Sequence, residues 1–152
     1  MQIKNKQKKV SAEYLDGAKA KVAIVLTRWN SDITDKLLEN SLEALRKSNV
    51  NPRNIRVVRV SGAVEIPFAL HKLAKSKEFD FLVALGCVIK GDTPHFDYVC
   101  KMAQEGALKV MIEDNIPVGF GVLTVNNLKQ AEERIHVGGE AALAALELSL
   151  IK

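Results

Sequence analysis

A histidine placed just past a glycine–proline turn is the first point in this sequence where chemistry could occur. Residues Phe81 to Tyr98 read FLVALGCVIKGDTPHFDY. The stretch opens as an unbroken apolar run to Ile89, the pattern of a strand buried on both faces. It stops on Lys90-Gly91-Asp92-Thr93-Pro94, a turn, and His95 begins a long helical pattern. His95 thus stands between the carboxyl end of a buried strand and the start of a helix. Open α/β sheets bind ligands at that place, and its backbone N–H groups favour an anion, phosphate above all. An imidazole there can both give and take protons near neutral pH.

Three other strand ends bring further candidates to the same sheet edge. They supply Trp29-Asn30, then Gly62-Ala63-Val64-Glu65, and a strand through Phe120 that leads to a helix ending near Arg134. An aromatic ring such as Trp29 can stack on a flat heterocycle. Backbone amides of a glycine turn can pair with ring carbonyls, and Thr93 and Arg134 could hold a phosphate, the arginine in a bidentate fork. Each residue also has a plainer reading. Trp29 could be core, Glu65 a helix-start carboxylate facing the dipole, His95 a histidine bonded to backbone, and Arg134 a helix-end cation. His71 reads as a solvated helix residue. His136 lies at a helix break, and Cys87 sits in a buried strand, which suits an inert thiol better than a nucleophile.

The elements that must position these residues follow from periodicity. Lys21 to Thr27 is a buried strand ending at Arg28-Trp29-Asn30, with Ser31 or Asp32 as candidate caps of the next helix. That helix carries Ile33, Leu37, Leu38, Leu42 and Leu45 at 3.6-residue spacing. Ile55 to Val60 is a second strand, whose alternating arginines predict a place near the sheet edge. Pro67 falls in the first turn of a helix that runs to about Lys77. After the Phe81 strand comes a helix from His95 to about Ile112, then a buried strand from Val118 to Thr124. Asn126 or Asn127 can cap a short helix to Arg134, Val137-Gly138-Gly139 reads as a break, and Glu140 to Leu150 is a strong helix. Strand and helix alternate, so the pattern predicts one domain over residues 1–152 with a parallel, doubly wound sheet.

Composition narrows the function. The net charge of +4 owes much to Lys4, Lys6, Lys8 and Lys9. They predict a flexible basic arm over residues 1–12 rather than a nucleic-acid surface, because no basic stripe with interleaved aromatics accompanies them. No apolar run has membrane-spanning length and no signal sequence is visible. Cys87 and Cys100 form neither a CxxC pair nor a disulfide framework, which fits reduced thiols in a cytoplasmic protein. His71, His95 and His136 are too scattered to suggest a metal. TRWNS after the first strand is no G-x-G-x-x-G, and neither a P-loop nor a G-x-S-x-G elbow occurs.

Taken together, TRWN (27–30), SGAVEIP (61–67), GCVIKGDTPHFDYV (86–99), NIPVGFGVLT (115–124), QAEER (130–134) and GGEAALAALE (138–147) resemble the lumazine synthase family over nearly the whole chain. The resemblance implies a three-layer flavodoxin-like fold with four parallel strands, and an N-terminal segment that adds a strand to a neighbouring subunit. It implies homopentamers with active sites at subunit interfaces, sometimes built into larger shells, and possible association with riboflavin synthase. The implied reaction joins 5-amino-6-(D-ribitylamino)uracil to 3,4-dihydroxy-2-butanone 4-phosphate. It yields 6,7-dimethyl-8-ribityllumazine, phosphate and water without metal or organic cofactor. Position by position, the resemblance implies that Trp29 stacks on the pyrimidine, where many relatives have Phe. Ala63, Val64 and Glu65 would meet the ribityl chain, and Cys87, Val88 and Ile89 would line the uracil pocket. Asp92, Thr93 and Arg134 would hold the phosphate, His95 would transfer protons, and Phe120 would come from the neighbour. One departure stands out. Many relatives carry a longer, lysine-containing loop after Arg134, whereas this chain passes directly through Ile135-His136-Val137. Two other readings, a flavin- or lumazine-binding protein without catalysis and a mainly structural shell protein, make less use of His95 and Arg134.

Overall fold

The computed structural model of the chain describes residues 11–152. The strands are β1 (Val22–Thr27), β2 (Ile55–Val60), β3 (Phe81–Ile89) and β4 (Val118–Val125). The helices are α1 (Ser31–Lys47), α2 (Ile66–Lys75), α3 (His95–Glu113), the short α4 (Leu128–Glu132) and α5 (Val137–Ser149). All strand pairs are parallel, and the order across the sheet is β2-β1-β3-β4. This is a flavodoxin-like arrangement, and the direction of winding reverses between β1 and β3.

Alternation along the strands divides the core in two. Val22, Ile24 and Leu26 of β1 and Phe81, Val83 and Leu85 of β3 pack with α1 and α5. Ala23, Val25, Leu82 and Ala84 pack with α2 and α3 on the other face. Phe81 through Leu85 have no exposed surface. Each large apolar side chain so buried contributes about 1.5–3 kcal/mol, which makes β3 the spine of the fold. β2 is the expected edge strand. Arg59 pairs with Asp35 at 3.2 Å, while Arg56 pairs with Glu78 at 3.2 Å and lies over the Phe79 ring.

Two local expectations need correction. Val137-Gly138-Gly139 does not break the chain; it opens α5. The glycines are there for packing, since a Cβ at Gly138 would overlap the Leu37 backbone. The Ser41 hydroxyl donates to the Gly138 carbonyl at 2.5 Å, and the Gly139 N–H donates to Asn40 Oδ1 at 2.7 Å. The cap of α1 is neither Ser31 nor Asp32 but Asn30, in the left-handed region at φ 60°. His71 is exposed on α2, as its solvated reading has it, and its Nδ1 also lies 2.9 Å from Asp114 Oδ2. The basic run Lys4 to Lys9 and the expected N-terminal strand lie outside the described residues.

Candidate active site

The carboxyl ends of β1, β2 and β3 enclose a cavity of about 460 Å³ at the point where the winding reverses. β1 contributes Trp29 and Asn30. The turn after β2 contributes Ser61 to Glu65, and β3 contributes Cys87, Val88 and Ile89 before Gly91, Thr93 and His95 follow from the next turn. The turns are clipped together by backbone. Arg28 N–H donates to Val60 O at 2.8 Å and Trp29 N–H to Ser61 O at 3.0 Å.

Trp29 is 74% exposed, which removes it from the core and leaves its ring free at the cavity mouth. Ala63 to Glu65 form one 3₁₀ turn leading into α2. Glu65 Oε2 accepts the Gly62 N–H at 2.9 Å, so this carboxylate does close the helix start as its plainer reading has it, while still bordering the cavity. Burial pushes the Cys87 thiol up to about 11, which leaves no thiolate nucleophile at neutral pH.

His95 is the first residue of α3 and is exposed. Its backbone N–H meets the Thr93 hydroxyl at 3.4 Å, but its ring has no hydrogen-bond partner among the described residues. The imidazole is therefore available to a reactant. Among the described residues, no lysine or arginine borders the cavity; the charged or titratable side chains of its lining are Glu65, Cys87 and His95. Asp92 lies in the same turn as Thr93 but outside the lining. Phe120 is 38% exposed on β4, opposite Ala84 in the register, and does not reach this cavity. Arg134 also lies apart from it. Its Nη1 donates to Gln130 O at 2.8 Å and is 3.9 Å from Glu133.

Asn30 lines the wall beside Trp29 as the strand-end reading has it, and Ser61, Phe96 and Val99 line it in addition to the candidates of the sequence. Phe96 and Val99 were reachable, since residues three apart share one helix face with the start of α3. The partner of Asn30 was not, because the contact is tertiary: its amide donates to Cys87 O at 2.8 Å. Among the described residues, no group of His, Cys, Asp or Glu gathers into a metal-binding cluster, and no helix is long and apolar enough to cross a membrane.

The arrangement offers an open aromatic face, a strand end with backbone groups, and an unpartnered imidazole beside a turn suited to an anion. Comparison with known proteins meets this geometry. The family described as 6,7-dimethyl-8-ribityllumazine synthase matches residues 19–152. A protein of that name from Desulfovibrio desulfuricans is 44% identical over 144 residues, covering 91% of this chain and 92% of its own length. The chain belongs to the 6,7-dimethyl-8-ribityllumazine synthase family.

Proposed function

We propose that the cavity at the carboxyl edge of the sheet is where this chain carries out the lumazine synthase reaction. In that reaction 5-amino-6-(D-ribitylamino)uracil condenses with 3,4-dihydroxy-2-butanone 4-phosphate to give 6,7-dimethyl-8-ribityllumazine, phosphate and water. The observation that carries the assignment is the free His95 ring at the start of α3, facing a cavity that also holds the open face of Trp29.

The chemistry needs what these groups can give. The pyrimidine amine attacks the ketone, water leaves, and an imine forms. Phosphate is then eliminated and the second nitrogen closes the ring with loss of another water. Each step moves a proton between nitrogen, carbon and oxygen, and an imidazole can donate and accept in turn. Trp29 stacks on the pyrimidine, backbone groups of Cys87, Val88 and Ile89 pair with its edge, and Ala63, Val64 and Glu65 meet the ribityl chain. Thr93 and the amide of Asp92 hold the phosphate. Holding two substrates in register supplies much of the remaining rate.

The missing cation points to a second copy of the chain. A phosphate dianion needs a positive partner, and among the described residues the cavity wall has none. Arg134 and Phe120 stand away from it and are assigned to the cavity of the adjacent subunit in a homopentamer. The outer side of α3 supports such packing, with Tyr98, Met102 and Ile112 exposed at 68%, 55% and 70%. The protein is assigned to the cytoplasm, and riboflavin synthase, which consumes the product, is its expected functional partner.

The test is product formation, followed by lumazine absorbance with both substrates. His95→Ala is expected to lower turnover by about 10²–10⁴-fold with the assembly intact. Full activity in that variant would remove the proton-transfer role. Arg134→Ala is expected to raise KM for the phosphorylated substrate by about tenfold or more, with a smaller change for the pyrimidine. An unchanged KM would remove the phosphate clamp.

A further inference from the structure

β1 pairs with β3 only as far as Leu26 opposite Leu85. From Gly86 to Ile89, β3 continues in register with β4 alone. The N–H and C=O groups of successive strand residues address alternate neighbours. The Leu82 N–H donates to Pro117 O and the Lys90 N–H to Val125 O, both at 2.9 Å, so the even-numbered residues address β4. The carbonyl of Cys87 and the backbone groups of Ile89 therefore point to the side that β1 has vacated, which is the cavity. One of them is already taken, because Asn30 Nδ2 donates to the Cys87 carbonyl at 2.8 Å.

Asn30 suits this task by conformation as well as by its amide. It sits at φ 60°, ψ 46°, a region that asparagine enters more readily than most residues. Its own carbonyl receives the Ile33 and Thr34 N–H groups, both at 3.0 Å, and so starts α1. One residue thus ends strand pairing, begins a helix and ties the turn that carries Trp29 to the end of β3.

We propose that Asn30 is a positioning residue for the pyrimidine substrate, a step that rests on the function proposed above. By occupying the Cys87 carbonyl, it withdraws that acceptor from the ring and leaves Ile89 as the backbone pair that the ring edge meets. A free Cys87 carbonyl would compete for the ring N–H donors two residues back, a displacement of about 6.6 Å along the strand. The same hydrogen bond sets the height of Trp29 over the ring. Aspartate cannot replace it, since an ionised carboxylate only accepts.

The experiment compares the assembled wild type with Asn30→Gly and Asn30→Asp. Glycine keeps the left-handed backbone and removes the donor. Binding is read by quenching of Trp29, the chain's single tryptophan, on titration with 5-amino-6-(D-ribitylamino)uracil alone, and KM is measured for both substrates. Asn30→Gly is expected to weaken pyrimidine binding and raise its KM by about five- to tenfold, the weight of one hydrogen bond, with the KM for the butanone phosphate within about twofold. Asn30→Asp is expected to bind the pyrimidine no better than Asn30→Gly. Wild-type pyrimidine binding in either variant overturns the proposal, as does an equal rise in both KM values, which would mark general damage. If Asn30→Gly does not assemble, Asn30→Asp decides alone. If the wild type gives no product yet the pyrimidine quenches Trp29 and the variants lose that response, the assigned activity fails and the role of Asn30 stands.

Discussion

His71 and His95 belong to neighbouring helices of one layer, α2 and α3, and meet opposite surroundings. His71 Nδ1 is 2.9 Å from Asp114, which also takes Lys75 at 3.6 Å, about 28 Å along α3 from His95. That carboxylate is nearly buried, and the His71 hydrogen bond, followed by the charges of His71 and Lys75, holds it below its ordinary value of 3.8. His95 has no ring partner among the described residues and faces a cavity. Between them, α3 and α2 touch at Gly106 and Pro67, where no Cβ would fit. The difference is instructive: a paired imidazole joins two helices, and an unpaired one is left to a reactant. Residue type alone does not separate the two.

The contrast can be broken from either end. The largest expected effect is the loss of turnover in His95→Ala, about 10²–10⁴-fold, with the urea midpoint unchanged. A fall in stability of similar weight to the loss of activity would show that His95 is structural as well. Next is Gly106→Ala. Overlap with the proline ring is expected to cost about 1–3 kcal/mol, reduced by up to about 1 kcal/mol of helix propensity. Urea unfolding reads this directly, and a stabilised variant would mean that the helices separate freely. The smallest effect is that of Asp114→Asn. Because the folded-state pKa of Asp114 is depressed, its contribution is full above the unfolded value near 3.8 and is lost as pH falls through the folded value. The midpoint difference between wild type and Asp114→Asn should therefore shrink as pH falls below 4, with activity at neutral pH unaltered. A difference that grew as pH fell below 4 would reverse the sign of the pairing.

Much of this was legible in the sequence because the relevant signals are local. The apolar runs of β1 and β3, the arginine alternation of β2 and the turn before His95 all declare themselves within about ten residues. What escaped depends on distant partners. Gly138 and Gly139 look like helix breakers until Leu37, Asn40 and Ser41 of α1 are seen against them. Asn30 looks like one residue of a turn until Cys87, 57 positions later, is found at its amide. Asp114 gives no hint of His71. Within the cavity, Trp29, the Ala63 turn, the end of β3, Thr93 and His95 converge, whereas Phe120 and Arg134 lie apart from it.

A cavity with no cation in its wall among the described residues has a consequence for how activity varies with concentration. If the arginine arrives from the next subunit, each working site is created by association rather than by folding. Specific activity should then be flat while the ring persists and fall steeply once dilution passes its dissociation constant, at a point set by mass action. Substrates that bind across the junction would oppose that fall, since ligands favour whichever state holds them. A newly made chain would carry a complete fold and half of a site, and would gain its chemistry only on meeting a second copy of itself.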